Sequence, residues 1–416
     1  MSDLSKSQCP ECGEPVAQAL DCPTWCPACN WNLAPGPAPP QGTLATIYRD
    51  MGARLGGWLF DSLRTAAPEA MKPRLTASVA LAFAVAGLVH LTTVALLVLG
   101  LWLIWVDWFN WFLGLGGLLM VTAAWALAPK PAPAPEHPLT REKAPALYRL
   151  ADSVAEALGA DPVDSIGLMP DINAFMGKYG WRQRSLLLIG APLWLCLDAR
   201  QKLALVAHEL AHEVNGDYAR SFWIVGAVNA LGGWLDFLRQ PYSPNASLGE
   251  ILGHYMTWLL SIPIGVVYSL LIHLFWQESQ RAEYLADHLG SRVSGSDAYT
   301  ASDDRILLAI SRADDLIWCL RRHADAPERA VPAFAARVKA LPEIETERLR
   351  RASEMALTSL DATHPPSFYR VELVRAFPCA AAVEVSEEDA ARLDEEVLAH
   401  CQAIGRDLVR TNLHSM

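Results

Sequence analysis

Residues 75–129 contain no lysine or arginine, and Asp107 is their only charged residue. This run of 55 residues limits the possible folds more than any other feature of the chain. Crossing the hydrocarbon core of a bilayer takes about 20 apolar residues of helix, so the run is long enough for two spans and a short turn. The expected spans lie near 76–104 and 109–128, with Trp102, Trp105, Trp108 and Trp111 gathered at one interface as an aromatic belt. Composition agrees: the chain is 52% hydrophobic and holds 15 tryptophans, more apolar than ordinary soluble proteins. Arg64, Lys72 and Arg74 precede the run, and Lys130, Arg141 and Lys143 follow it. Basic flanks stay on the cytoplasmic side, which puts both ends of this hairpin in the cytosol. The polar, cysteine-rich start of the chain does not have the pattern of a secretory signal.

A second apolar pair is expected near 221–238 and 251–276. No basic residue occurs between Arg239 and Arg281, and Glu250 is the only acidic one before Glu278. The later segment is long enough to span. The earlier one is short and carries Asp236, so a re-entrant or half-buried helix is an open alternative.

Between the two pairs stands His208-Glu209-Leu210-Ala211-His212. On a helix, residues i and i+4 lie one above the other, so both imidazoles can reach one zinc ion. The intervening Glu209 lies beside them, placed to take a proton from water. Leu203, Leu205, Val206 and Leu210 make the run apolar enough for a buried helix, and Asp198 with Gln201 forms a capping box at its start. The plain alternative is two histidines that share a helix face. Catalytic zinc needs a third protein ligand and an open position. Glu283 is the candidate, at the start of a second helical pattern, with Asp287 one turn further on the same face. Asp287 could accept the free ring N–H of a ligand histidine and fix its tautomer. Alternatively, Glu283 and Asp287 form a solvated face paired with Arg281 or Arg292. If the three ligands share one ion, the chain between His212 and Glu283 must cross the membrane zero or two times. A hairpin meets that condition.

The HELAH core, the following Asn215-Gly216-Asp217 and the later Glu283-Tyr-Leu-Ala-Asp287 resemble the integral-membrane zinc endopeptidases related to HtpX and the CAAX prenyl proteases. Asp171-Ile-Asn-Ala-Phe175 is similar to that family's Asn-Ala-Phe segment, and Thr363-His-Pro-Pro366 with Arg370 to its C-terminal His-Pro-Pro…Arg segment. The resemblance covers roughly residues 75–375. It departs at Met176-Gly-Lys-Tyr, where small residues are usual, and in the first 74 residues. It implies a mainly α fold with a small antiparallel sheet, a multi-pass zincin-type metallopeptidase. It also implies that Asn173, Ala174 and Phe175 form an edge strand beside the cleft, which binds extended substrate by strand pairing. His364 and Arg370 become candidates for stabilising the oxyanion. On sequence alone, Asn173 is equally a turn residue, and His364 and Arg370 equally a loop histidine and a surface arginine.

The N-terminal extension carries Cys9-Pro-Glu-Cys12 and Cys26-Pro-Ala-Cys29. Two CxxC knuckles at this separation resemble a zinc ribbon, in which four thiolates enclose a structural ion. So short a segment has too little core to fold unaided, so the ion would supply the folding energy. Reactive redox pairs are the alternative, and Cys22 is a spare thiol. Residues 1–34 hold one lysine, no arginine and four acids, and the whole chain carries a net charge of −11. Nucleic acid is therefore not an expected partner. Ala34-Pro-Gly-Pro-Ala-Pro-Pro40 and Pro129–Pro135 are stiff linkers. Ile47, Met51, Leu55, Trp58, Leu59 and Leu63 recur at helical spacing. They predict a helix that lies on the cytoplasmic leaflet or packs on the protease domain.

The expected organisation is a ribbon over 1–34, linker and amphipathic helix over 35–74, and a membrane hairpin over 75–128. The first catalytic half covers 139–217, a second hairpin 218–276 and the second catalytic half 277–416. Thr140 is expected to cap a helix ending at Gly159, followed by strands Ser165–Met169, Asn173–Tyr179 and Ser185–Ile189. Two zinc ions are expected, one catalytic and one structural. Residence in the plasma (inner) membrane is expected, with the lipid bilayer as a partner and, from the basic flanks, the catalytic domain and N-terminus cytoplasmic. The resemblance implies misfolded membrane proteins as polypeptide substrates, with prenyl-peptide processing as a lesser option. The ribbon's partner is not identified. A contrasting reading is a catalytically silent membrane receptor or scaffold that recruits a partner through the ribbon; an intact Glu209 argues against it.

Overall fold

The computed structural model describes the chain except for residues 1–4, 19–20, 35–42, 67, 73, 107–109, 242–245, 356–363 and 415–416. Trp108, Asp107 and the first proline-rich linker beyond Ala34 thus lie outside the described residues. The chain is mainly helical with small sheets and divides into two compact units. The first comprises 1–72, 132–215 and 282–416; the second comprises 73–131 and 216–281.

The second unit contains the apolar helices α2 (Ala77–Val106), α3 (Trp111–Leu127), α7 (Asp217–Leu238) and part of α8 (Leu248–Ser294). Asn110 caps α3 through its side-chain oxygen, which accepts from the backbone of Phe112 and Leu113. Small residues bring α2 and α3 together: a Cβ at Gly117 would lie 2.5 Å from the Gly100 carbonyl oxygen, so the backbones touch. Ala82, Ala86, Ile224, Ala227, Leu231 and Leu271 form the unit's core. Outside that core Leu88, Leu91, Val98, Trp105 and Leu260 are exposed, the reverse of a water-soluble helix that hides its apolar face. α2 and α8 are long and apolar enough to cross a membrane, and α3 and the apolar part of α7 are shorter.

The first unit opens with a hairpin, β1 (Ser5–Gln8) and β2 (Pro15–Gln18). Next comes α1 (Thr43–Arg64), whose Leu59, Phe60 and Leu63 pack against Tyr284, Leu285 and Leu373. Of the two predicted settings for α1, this face takes the packed one, while Ile47, Met51, Leu55 and Trp58 stay exposed. Its main sheet comprises β3 (His137–Leu139), β4 (Ser165–Met169), β5 (Ala174–Tyr179) and β6 (Arg184–Gly190), in the order β3-β4-β6-β5. This sheet is mixed, which corrects the expected antiparallel one. β5 and β6 form an antiparallel hairpin, and β6 also pairs parallel with β4. The chain after β4 crosses to the far edge before returning, so β6 slots in beside β4 in the same direction. A propensity pattern cannot distinguish that order from a meander.

Helix α4 (Pro145–Leu158) ends at Gly159 in the left-handed conformation, as the spacing predicts, but Thr140 does not cap it. The Thr140 carbonyl closes a separate turn by accepting from Lys143 and Ala144, and Pro145 starts the helix. After α5 (Ala191–Cys196) comes α6 (Ala199–Val214), which carries the HELAH core. Its capping box is present, with Asp198 and Gln201 each bonding the other's backbone N–H at 2.9 Å. Helices α9 (Ser296–Ser311), α10 (Ala313–Arg322), α11 (Ala330–Lys339), α12 (Glu343–Met355) and α13 (Ser367–Ala376) follow, with α9 packed between α6 and α13.

The segment that follows the N-terminal hairpin sits against the rest of its own unit. Arg348 of α12, buried and paired with Glu345, donates to the Leu33 carbonyl at 2.7 Å. Arg351 donates to the Pro27 carbonyl at 2.6 Å and lies over the buried ring of Trp25. Arg312 donates to the Cys22 thiol at 3.1 Å.

Candidate metal centre

The i, i+4 spacing on α6 puts His208 and His212 on one face, with their Nε2 atoms 3.3 Å apart. Glu283 faces them from α8, its two oxygens each 3.7 Å from one of those nitrogens. Glu283 does not begin a new helix. It belongs to the 47-residue α8, whose pattern changes from apolar to mixed without a break in the helix. Ligand atoms of His208, His212 and Glu283 all lie within 4.8 Å of one another. Two imidazoles and a carboxylate are a donor set suited to zinc, and they leave a further position open.

Neither Glu283 nor Asp287 forms a solvated face, since both are buried. Arg281 pairs instead with Glu278. His364, on the surface, brings its Nδ1 to 2.8 Å from Glu283 Oε2. Burial disfavours charge on Glu283, but the bond from His364 and the imidazoles of His212 and His208 outweigh it and hold the carboxyl below its usual range.

Behind His208 lies a buried network. Asp287 Oδ1 is 3.2 Å from His208 Nδ1. The Tyr299 hydroxyl donates to Asp287 Oδ1 at 2.6 Å and sits 2.8 Å from His208 Nδ1. Arg370 donates through Nε to Asp287 Oδ2 at 3.0 Å and through NH2 to Oδ1 at 2.6 Å. Burial works against the Asp287 charge, yet Arg370 and His208 overcome it and hold the carboxyl far below the usual range. Burial, then the Asp287 charge, pushes the Tyr299 phenol up, so it keeps its hydrogen. The Arg370 guanidinium is thus bonded to Asp287, with its Nη2 also 3.5 Å from both His208 ring nitrogens. Near this network Asp303 is buried and its carboxyl is raised to about 7, chiefly by loss of solvation, against the lowering effect of Arg370.

Asn173, Ala174 and Phe175 lead into β5, which is the outer strand of its sheet. Asn173 stands just before the strand, its carbonyl accepting from Gly190 at 2.8 Å, and Phe175 is exposed. The Met176 N–H points away from β6 and donates to Glu209 Oε2 at 3.0 Å. One residue pair further along, Lys178 and Glu213 meet at 2.8 Å. Glu209 thus lies between the histidines and the edge strand. Met176 and Tyr299 are missed by sequence reasoning. A backbone N–H leaves no compositional trace, and Tyr299 is 91 residues beyond His208 in an unremarkable helix.

The ribbon cysteines form a second group, their sulfurs also within 4.8 Å of one another. Cys9 and Cys29 sulfurs are 3.7 Å apart and those of Cys12 and Cys26 are 3.5 Å apart. A disulfide requires about 2.05 Å. Four thiolates on one zinc at about 2.3 Å would sit about 3.8 Å apart, close to the observed edges. Glu136, His137 and Asp407 also approach one another, but at the surface, where His137 and Asp407 already form an ordinary pair at 2.6 Å.

The model of peptidase family M48 matches residues 142–377. The chain is 27% identical over 143 residues to Protease HtpX of Acinetobacter baumannii, covering 32% of this chain and 46% of that protein. It is 23% identical over 215 residues to Protease HtpX of Tolumonas auensis, covering 50% of this chain and 63% of the other. A third relative, Protease HtpX of Alkalilimnicola ehrlichii, is 25% identical over 148 residues, 34% of this chain and 48% of that protein. The chain thus spans about half the length of these curated relatives. No solved structure matches it.

Proposed function

The chain belongs to peptidase family M48, and on that premise we propose that it is a membrane-anchored zinc endopeptidase with a structural zinc ribbon. The observation that carries this reading is the cluster of His208, His212 and Glu283 with Glu209 poised between it and an edge strand. His208, His212 and Glu283 hold the catalytic ion; Cys9, Cys12, Cys26 and Cys29 hold the structural one. When bound, the catalytic zinc supplies Lewis-acid polarisation of the scissile carbonyl and acidifies water.

The remaining steps belong to the chain's own side chains. An extended substrate adds to the outer edge of β5, with its backbone aligned by strand pairing beside Asn173, Ala174 and Phe175. Glu209 takes the proton of the attacking water and later delivers it to the leaving amine. Its contact with the Met176 N–H ties the base to the strand that receives the substrate. His364, at the mouth of the cluster, is placed to donate to the developing oxyanion. Asp287, together with Arg370, orients His208 from behind.

We place α2 with α3, and α7 with the apolar part of α8, across the inner membrane as two hairpins. Support comes from their exposed apolar surfaces and from the basic residues flanking the first hairpin. Residues 1–74, 130–218 and 277–416 then face the cytosol. A thiol placed at Ser247 should react with an impermeant label outside intact cells, and one at Arg182 should not; the opposite pattern overturns the orientation. The proposed task is removal of damaged or misassembled membrane proteins.

The activity itself is tested with detergent-purified full-length protein and an unfolded polypeptide, with and without a chelator. Chelator-sensitive cleavage is expected. Zinc binding with no cleavage of any unfolded chain would instead favour a silent scaffold.

A further inference from the structure

We propose that Tyr299 is a positioning residue of the metal centre: its hydroxyl, wedged between His208 Nδ1 and Asp287 Oδ1, fixes His208 as the Nδ1–H tautomer and leaves Nε2 free for the ion. The inference rests on the reading of His208, His212 and Glu283 as a zinc site.

The direction of the hydrogen bonds follows from counting hydrogens. A carboxylate only accepts, a phenol has one hydrogen, and a neutral imidazole has one N–H and one lone pair. Tyr299 donates to Asp287 at 2.6 Å, so its oxygen is left to accept, and His208 Nδ1 at 2.8 Å must supply the hydrogen. The reverse order would have Tyr299 donate to Nδ1. Its oxygen would then face Asp287 Oδ1 at 2.6 Å with no hydrogen between them, two acceptors in contact. Only the order His208 to Tyr299 to Asp287 avoids that repulsion.

The three groups have little room to rearrange. Arg370 fixes both oxygens of Asp287. Tyr299 is buried, and α8 passes so close that a Cβ at Gly290 would lie 2.8 Å from its ring and 3.2 Å from the His208 backbone nitrogen. A direct His208–Asp287 contact also exists, but at 3.2 Å it is longer than the path through the hydroxyl. Tyr299 therefore supplies the shorter of the two contacts to Nδ1, and Asp287 holds the ring both directly and through the hydroxyl. Removing such an outer partner weakens metal binding by about 10–100-fold, and the residual contact to Asp287 sets the expectation near the lower figure, about tenfold.

The experiment compares full-length wild type with Tyr299→Phe, which keeps the ring and removes only the hydroxyl. Zinc affinity is measured by competition with a chromophoric chelator, and the ribbon's zinc serves as an internal reference. We expect the affinity of the His208 site to fall about tenfold while the ribbon's affinity and the thermal midpoint hold. Equal affinities at that site, within twofold, overturn the proposal. If Tyr299→Phe does not fold, the nitrogen-15 spectrum of His208 in metal-free wild type decides. A hydrogen on Nδ1 is expected, and a hydrogen on Nε2 overturns it. Failure of the underlying zinc reading has a different signature: wild type would hold no zinc that His208→Ala removes, and both proposals would fall together.

Discussion

The ribbon cysteines and the His208–His212–Glu283 cluster each gather their donor atoms within 4.8 Å, but the two groups are built differently. The ribbon offers four equivalent thiols from two tight knuckles close in sequence, enough to fill a tetrahedral shell. The other cluster offers three donors from two helices, with Glu209 on the same helix as the histidines and His364 2.8 Å from Glu283. Next to His208, Asp287 bonds to both Tyr299 and Arg370. A closed shell suits holding a chain together. An open one, backed by buried charge, suits chemistry. On the proposed function, the same chain separates a structural site from a reactive one, and each can be perturbed on its own.

The largest effect should come from the closed site. Replacing Cys9 and Cys12 by serine removes half its ligands, where structural zinc in finger peptides contributes about 10–16 kcal/mol. Residues 5–33 should become sensitive to added protease, and elemental analysis should show one zinc fewer, with the His208 site still loaded. Loss of both ions would merge the two sites into one. At the open site, Glu283→Gln removes a ligand charge, so its zinc affinity should drop by more than the roughly 10–100-fold typical of an outer partner. Cleavage should fall in parallel, and the ribbon's ion should be retained.

A smaller effect is expected where the ribbon meets the rest of its unit. Arg348 is buried with Glu345 and holds the Leu33 carbonyl, so Arg348→Ala leaves a buried carboxylate unpaired. Breaking such a pair costs about 3–5 kcal/mol. The thermal midpoint should fall and the ribbon thiols should react faster, with zinc at the open site unaffected. The reverse pattern would mean that α12 serves the open site and not the ribbon.

Near the network behind the open site, Asp303 carries a pH liability. Asp303 is raised from 3.8 to about 7, so between those values the folded chain keeps a proton that the unfolded chain has released. Stability therefore falls as pH rises through that window and levels off above it, by an amount on the order of a few kcal/mol. Asp303→Asn should flatten the slope, as measured by thermal unfolding from pH 4 to 8. An unchanged slope would place the titrating group elsewhere.

What could be read from the sequence follows from how locally each feature is encoded. The spacing of His208 and His212, the two CxxC knuckles, the Asp198–Gln201 capping box and the helix stop at Gly159 depend on neighbouring residues. In each case the structure shows the local geometry that the spacing implies. The long run that lacks basic residues likewise gives two helices close to the expected limits, Ala77–Val106 and Trp111–Leu127. Features that depend on chain crossings were not legible. The parallel pairing of β4 with β6 requires knowing that β5 takes the outer edge. The continuity of α8 through Glu283 was hidden because its apolar and mixed stretches look like two helices. Arg370 looks the same in sequence whether it faces a substrate or clamps Asp287, and nothing local to it signals the bond to Asp287. Tyr299 gives no signal because a buried tyrosine on an ordinary helix is most often core.

The measurement that bears most directly on the central claim separates the base from the ligands. Glu209 touches the Met176 N–H and is proposed to move a proton without holding the ion. Glu209→Gln, purified at full length, should keep both zinc ions while cleavage of an unfolded polypeptide falls by about 10²–10⁴-fold. Cleavage at the wild-type rate by Glu209→Gln with both ions in place would contradict the account.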